Sequence, residues 1–301
     1  MQKTATKKII VTGANGQLGT EFRMLHMLYP DFEFHFLTKS ELDIRLENRV
    51  KHFIEEFKPA AVINCGAYTN VEKAEGDREE AFLANALAPS FLAEACHNNE
   101  ALFVHFSTDY VFDGKKGAAY TEEDDVSPIN VYGESKLEGE RLVDEKCGRN
   151  ILLRVSWLYS TFGHNFYKTM SRLAKERGEL KVVSDQFASP TYARHLANDV
   201  LELLDKALIQ QAHTPYGLYH YSQDGVASWC DFAKEIVINK GLRVPVYAVT
   251  TEAFPTKAQR PAYSKLDNTK FKAAFSLPTP TWKEGLADCI INEQTQEENE
   301  H

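Results

Sequence analysis

The stretch Gly13-Ala14-Asn15-Gly16-Gln17-Leu18-Gly19 limits what this chain can become more than any other feature. It follows the apolar run Lys8–Val11 and leads into Leu18, Phe22, Leu25 and Leu28, which recur at helical spacing. A strand, a glycine-rich turn and a helix in that order form a seat for a phosphate. The first glycine permits tight reversal, the second lets the backbone approach a pyrophosphate, and the third lets the helix pack closely on the strand. The helix N-terminus adds N–H donors and a positive dipole. The spacing is G-x-x-G-x-x-G, not the simplest G-x-G-x-x-G, so its place between a first strand and a first helix carries the inference. The competing reading is a glycine turn that binds nothing. Gly13, Asn15, Gly16, Gln17, Leu18 and Gly19 are the first candidate cofactor contacts.

The rest of the chain repeats this rhythm. Short apolar runs occur at Phe32–Leu37, Ala60–Asn64, Ala101–Phe106, Ile151–Val155 and Gly217–Tyr221, and Ala81–His97 is helix-like. Runs that are apolar on both faces, alternating with helices, predict right-handed crossovers and a parallel sheet covered on both sides. The expected fold is α/β, a Rossmann doubly wound parallel sheet with a smaller, interleaved C-terminal substrate lobe. Residues 1–160 form the nucleotide-binding domain, with returning segments near 192–222, and residues 161–301 form mainly the substrate lobe. In the second half, a helix runs from Gly163 to Lys175, Ser184–Pro190 is a loop, and Tyr192–Ala207 is a helix. Another helix begins near Ser228, a strand lies around Val246–Val249, and a last helix starts at Trp282. The polar end from Glu293 to His301 is expected to fray.

The 301 residues suffice for such a two-lobed unit. A net charge of −9 repels phosphate polymers, which argues against a nucleic-acid partner. No apolar run reaches the roughly 7–15 residues of a secretory leader or the ~20 of a membrane span, so no membrane partner and a cytoplasmic location are expected. The five cysteines lie 31 or more residues apart, which suits reduced, buried thiols and offers no zinc spacing.

The second strand should end in whatever reads the adenosine ribose. An acid there would bond both hydroxyls and select NAD. The stretch here is Leu37-Thr38-Lys39-Ser40-Glu41, without an acid at once after the strand. Thr38 and Lys39 would accommodate a 2′-phosphate, favouring NADPH with NADH also accepted. Asp43 and Ile44 could reach the adenine edge.

Tyr132 and Lys136 stand four residues apart, on one face if their segment is helical. A lysine beside a tyrosine favours the phenolate and brings its pKa down toward neutrality. Such a tyrosine can protonate a carbonyl oxygen as hydride reaches the carbon. Twenty-four residues before Tyr132, the fourth strand closes on Ser107-Thr108-Asp109-Tyr110, at the end of a parallel sheet where ligands gather. The Thr108 hydroxyl there could complete the hydrogen bonding of a substrate oxygen. The bland alternatives are a surface helix for the Tyr–Lys pair and a turn cap for Thr108; the three features in this order outweigh them.

These residues resemble the extended short-chain dehydrogenase/reductase family. Within it, Ser107–Gly114 and Val131–Lys136 are similar to the dTDP-4-dehydrorhamnose reductases, as are Asn64–Thr69, Arg154–Tyr159, Asp185–Thr191 and Arg260-Pro261. The resemblance runs from Lys8 to about Leu286. It implies reduction of dTDP-4-dehydro-L-rhamnose, a dTDP-4-keto-6-deoxyhexose, to dTDP-L-rhamnose. It also implies that Tyr132 donates the proton, Lys136 partners it and Thr108 tunes it. Thr108, Asp109, Trp157 and Arg260 would touch substrate, while Cys65, Ala67, Tyr68 and Thr69 would line the cofactor. Cys65-Gly66 replaces the small alanines frequent in the family. Some members pair as homodimers through acidic residues around magnesium. No such trio can be placed here, so no metal is expected and a homodimer stays open.

Four other readings compete. Nucleotide-sugar dehydratases need an acid after Thr-Asp, and this chain has Tyr110. Epimerase–reductases of the GDP-fucose type use a cysteine and a histidine, but His105 lies within an apolar strand and reads as structural, and Cys96 suggests no such pair. A non-catalytic NADP-binding regulatory subunit shares the fold. A reductase for another 4-keto nucleotide sugar stays open as the alternative, because the base and sugar are read by loops of the second lobe.

Overall fold

A computed structural model describes residues 6–299. β1 (Lys7–Thr12) leads through the glycine loop into α1 (Gln17–Leu25), and β2 (Phe32–Leu37) follows. α2 (Glu47–Phe57) precedes β3 (Ala61–Asn64), and two short helices come next, α3 (Val71–Ala74) and α4 (Arg78–Phe82). The chain then makes a π-helical turn at Leu83–Leu87 before α5 (Ala88–Asn98) and β4 (Leu102–Thr108). α6 (Val131–Lys146) and β5 (Asn150–Val155) follow.

The parallel sheet has the order β2-β1-β3-β4-β5 and is extended beyond β5 by a later strand, Gly217–Tyr221. Alternate residues of β1 face opposite ways, as a doubly covered sheet demands. Ile9 and Val11 join a core with Leu18, Phe22 and Leu25 of α1, whereas Ile10 joins Val50 and Ile54 of α2 and Leu92 of α5 on the other face. The chain runs from β1 outward to β2, then returns to β3 on the other side of β1. This reversal opens a crevice at the carboxyl ends of β1 and β3.

After β5 come β6 (Leu158–Tyr159), α7 (Phe166–Glu176), β7 (Leu180–Val183), β8 (Phe187–Ala188), β9 (Thr191–Tyr192) and α8 (Ala193–Leu208). α8 packs its apolar face into the same core as α1. β10 (Gly217–Tyr221) completes the main sheet, followed by β11 (Ala227–Ser228), α9 (Trp229–Asn239), β12 (Val246–Val249), α10 (Thr269–Phe275) and α11 (Trp282–Asn299). A separate core gathers Tyr159, Tyr167, Tyr192, Phe232 and Leu286 from the second half.

Several expectations need correction. The loop at Ser184–Pro190 contains β8, which pairs with β11. The helix-like stretch Ala81–His97 is broken by the π turn. The polar end from Glu293 is helical as far as it is described, since α11 continues to Asn299; residues 300 and 301, like residues 1–5, lie outside the described part. No described helix is long and apolar enough to cross a membrane.

Candidate active site

Gly13 begins the site with a left-handed φ of +64°, and a Cβ there would lie 2.5 Å from the Gly66 nitrogen. No other residue fits where the loops after β1 and β3 touch. Gly19 backs onto the same turn, its missing Cβ 2.5 Å from the Gly13 carbonyl oxygen. A buried chain of bonds holds the neighbouring strand ends in register. The Thr12 hydroxyl (2.7 Å) and the Gly66 N–H (3.1 Å) donate to Asn64 Oδ1, and Asn64 Nδ2 donates to His105 Nδ1 at 3.1 Å. Burial, then the Lys136 charge, drives the His105 pKa well below its ordinary value, so the imidazole is neutral and structural.

A cavity of about 530 Å³ opens at this crevice. Its walls include Gly13, Asn15, Gly16, Thr38, Lys39, Asp43, Ile44, Cys65, Ala67 and Tyr68. Leu18 and Gly19 are not on its surface, since Leu18 belongs to the core and Gly19 packs under Gly13. Gln17 also departs from expectation: its side chain turns away to Asn165. Thr69 faces a second, larger cavity. The ribose end differs too. Glu41 folds back, and its Oε2 accepts both the N–H and the hydroxyl of Thr38 at 2.8 Å. These bonds hold the Glu41 carboxyl below its ordinary range, so a carboxylate does border the strand end. Asp43 is clasped by Arg45 at 2.7 Å, which brings its pKa down to about 2.

The chemistry-bearing residues lie where β4 ends beside α6. Asn130 caps α6 by accepting the Gly133 N–H at 2.7 Å, and Glu75 accepts the Val131 N–H at 2.9 Å. Farther along the helix, Glu140 forms a buried ion pair with Arg154 of β5 at 2.7 Å. So fixed, α6 presents Tyr132 toward Thr108, whose hydroxyl draws the phenol pKa down. Lys136 is buried and donates to the Phe106 carbonyl at 2.5 Å. This corrects the expected pairing. Desolvation, opposed by the nearby Thr108 hydroxyl, pushes the Tyr132 phenol up to about 12, and no influence of the lysine offsets it. Burial also lowers Lys136 to about 8.

Asp109 lies under this cluster, 2% exposed. Its Oδ2 accepts the Ser264 hydroxyl at 2.5 Å, and the Thr108 hydroxyl lies 3.2 Å from Oδ1. Burial raises its pKa to about 7, against the Ser264 bond. Tyr110, at the position where a dehydratase would carry an acid, is buried edge-on against Tyr132.

The larger cavity, about 970 Å³, is walled by Thr69, His164, Asn165, Phe166, Gln186, Trp229 and Arg260, among others. Arg260 pairs with Glu72 at 3.1 Å and keeps a buried Nε without a partner. Trp157 is not on the cavity wall. It adopts a left-handed φ of +46° and stacks face to face on Trp229, ring centres 3.4 Å apart, and Trp229 meets the cavity.

Two further residues escaped the sequence reading. Asn85 sits in the π turn, takes the Tyr68 N–H at 2.8 Å and donates to Ser135 of α6 at 3.0 Å, tying the loop after β3 to the helix that carries Tyr132. Such π turns concentrate at functional sites, and that was the only local signal available. Ser264 lies 155 residues from Asp109 and gave none.

Comparison with known proteins agrees with this geometry. Residues 7–295 match the family model described as RmlD substrate binding domain. The dTDP-4-dehydrorhamnose reductase of Aggregatibacter actinomycetemcomitans is 41% identical over 93% of this chain and 97% of its own length. The spore coat polysaccharide biosynthesis protein SpsK of Bacillus subtilis is 38% identical over 94% of this chain and 96% of its own. The crystal structure of the Bacillus anthracis dTDP-4-dehydrorhamnose reductase in complex with NADP superposes with a TM-score of 0.89 at 39% identity, covering 95% of this chain and 99% of that one. The chain belongs to the RmlD family, that of the dTDP-4-dehydrorhamnose reductases.

Proposed function

We propose that this enzyme reduces the 4-keto group of dTDP-4-dehydro-L-rhamnose to a hydroxyl with NADPH, giving dTDP-L-rhamnose. The observation that carries the reading is the Thr108–Tyr132 pair beside buried Lys136, at the end of a sheet whose β1–β3 crevice is shaped for a dinucleotide. The crevice fits that cofactor because Gly13 and Gly19, where a Cβ would clash with backbone, keep the phosphate loop pressed tight against the loop after β3. Gly13, Asn15 and Gly16 would hold the pyrophosphate, Thr38 and Lys39 the ribose phosphate, Asp43 and Ile44 the adenine, and Cys65, Ala67 and Tyr68 the opposite wall. Bound there, the nicotinamide supplies the hydride.

The protein's residues manage the proton. A phenol whose pKa is about 12 keeps its proton at neutral pH, so Tyr132 is poised as an acid toward an oxygen that gains charge. Thr108 shares the bond to that oxygen and orients the phenol. Lys136 places a cation near the site and ties α6 to the end of β4 through the Phe106 carbonyl. Asp109, at the end of β4, and Arg260, from the second lobe, would meet the sugar nucleotide, with Trp157 acting through Trp229. Residues 161–301 thereby serve mainly substrate and residues 1–160 mainly cofactor, in a cytoplasmic enzyme.

The test is incubation of the purified protein with NADPH and dTDP-4-dehydro-L-rhamnose, followed by product analysis. Formation of dTDP-L-rhamnose with matching loss of NADPH supports the reading. Reduction confined to a different keto-sugar nucleotide would replace the substrate.

A further inference from the structure

The Gln17 side chain has no work in the cofactor cavity although it sits inside the glycine loop. It is the first residue of α1, and its Oε1 accepts a hydrogen bond from Asn165 Nδ2 at 2.7 Å, across the junction between the two halves of the chain. Asn165 is itself a junction. The same Nδ2 donates to the carbonyls of Ser160 at 2.8 Å and Phe162 at 3.0 Å, while Oδ1 caps α7 by accepting the Lys168 N–H at 3.0 Å. Asn165 is only 9% exposed, yet it lines the larger cavity together with its neighbours His164 and Phe166. Backbone approach reinforces the bond: Gly163 has φ +68°, and a Cβ there would lie 3.1 Å from Gln17 Cβ. One turn along α1, the Ser160 hydroxyl donates to buried Glu21 at 2.5 Å. Two side chains of α1 thus clasp the Ser160–Asn165 turn.

We propose that the Gln17 side chain is a positioning residue for the substrate cavity, holding Asn165 and the first turn of α7 in place. The backbone of the glycine loop serves the dinucleotide, while the Gln17 amide serves the sugar nucleotide. This inference rests on the proposed substrate.

The experiment measures binding of two probes, NADP⁺ and dTDP, to the full chain by calorimetry, in wild type, Gln17→Met and Gln17→Glu. Methionine keeps the length but offers Asn165 no comparable acceptor, whereas glutamate keeps one. Loss of one buried hydrogen bond of ordinary strength should weaken dTDP binding roughly three- to tenfold in Gln17→Met. NADP⁺ binding should stay within about twofold, and KM for the keto sugar should rise without a rise in KM for NADPH. Gln17→Glu should bind dTDP closer to wild type than Gln17→Met does. Loss of NADP⁺ affinity equal to or greater than the loss of dTDP affinity overturns the inference, as does unchanged dTDP binding in Gln17→Met. A wild-type protein that fails to bind dTDP counts instead against the proposed substrate, so the two failures are told apart.

Discussion

The Lys136 ammonium donates to the carbonyl of Phe106 at 2.5 Å, which fixes the catalytic helix to the strand that carries Thr108. The bond keeps a buried cation in place at a cost in proton affinity, since desolvation lowers its pKa to about 8. The folded state therefore binds fewer protons than the unfolded state between about pH 8 and the ordinary lysine value near 10.5. Stability from this group rises with pH across that window, and its penalty is fully present below it. Unfolding curves of wild type and Lys136→Met, compared at pH 7.5 and 10 by chemical denaturation, should show wild type gaining relative to the variant by up to about 3 kcal/mol. Parallel pH dependences would place the ammonium in a solvated setting.

Asp109 behaves in the opposite sense. Its pKa is raised to about 7, so the folded state holds a proton that the unfolded state has released between about pH 4 and 7. Stability from this group is fully present below the unfolded value and lost as pH rises through 7. Asp109→Asn should therefore gain stability relative to wild type as pH rises from 4.5 to 8, measured by thermal melting. A difference that does not vary with pH would mean the carboxylate is ionised throughout.

Cofactor choice is set by a small balance at the end of β2. Lys39 lines the cavity, while the Glu41 carboxylate occupies the Thr38 N–H and hydroxyl that a 2′-phosphate would otherwise share. An exposed charge pair contributes only about 0.2–1 kcal/mol, so NADPH should be preferred modestly over NADH. Lys39→Asp should invert the order in parallel titrations of the two cofactors. An unchanged ratio would show that another residue reads the ribose.

Much of this architecture was written in local pattern. The strands of the main sheet announce themselves because both faces are covered, so Ile9, Ile10 and Val11 are all apolar. The glycine loop and the Tyr132–Lys136 pair depend on spacings of a few residues, which a sequence displays directly. What stayed hidden depends on distant partners. α2 buries only Val50 and Ile54, and its charged remainder gives little periodic signal. The partner of Lys136 is a backbone carbonyl, which carries no side-chain signature. Trp157 meets the larger cavity through Trp229, 72 positions away, a stacking that no local pattern displays. The glycine motif describes the backbone of Gln17 and is silent on its amide, which reaches Asn165.

Asn85 should matter beyond its size. Its removal leaves the Tyr68 N–H without a partner, and a buried unsatisfied group costs about 1–3 kcal/mol. Asn85→Ala should lower stability by that amount and weaken NADP⁺ binding, because the Tyr68 loop lines the cofactor cavity. Calorimetry on the folded variant at low temperature separates the two effects. Full cofactor affinity there would free the loop from the π turn.

The proton donor is the centre of the account, and Tyr132→Phe tests it most directly. The substitution keeps the ring that packs against Tyr110 and removes only the hydroxyl presented beside Thr108. Turnover of NADPH with dTDP-4-dehydro-L-rhamnose, measured beside NADP⁺ affinity, should fall roughly 10²–10⁴-fold while the affinity stays at the wild-type value. Turnover within a few-fold of wild type would contradict the assignment and remove Tyr132 from the chemistry.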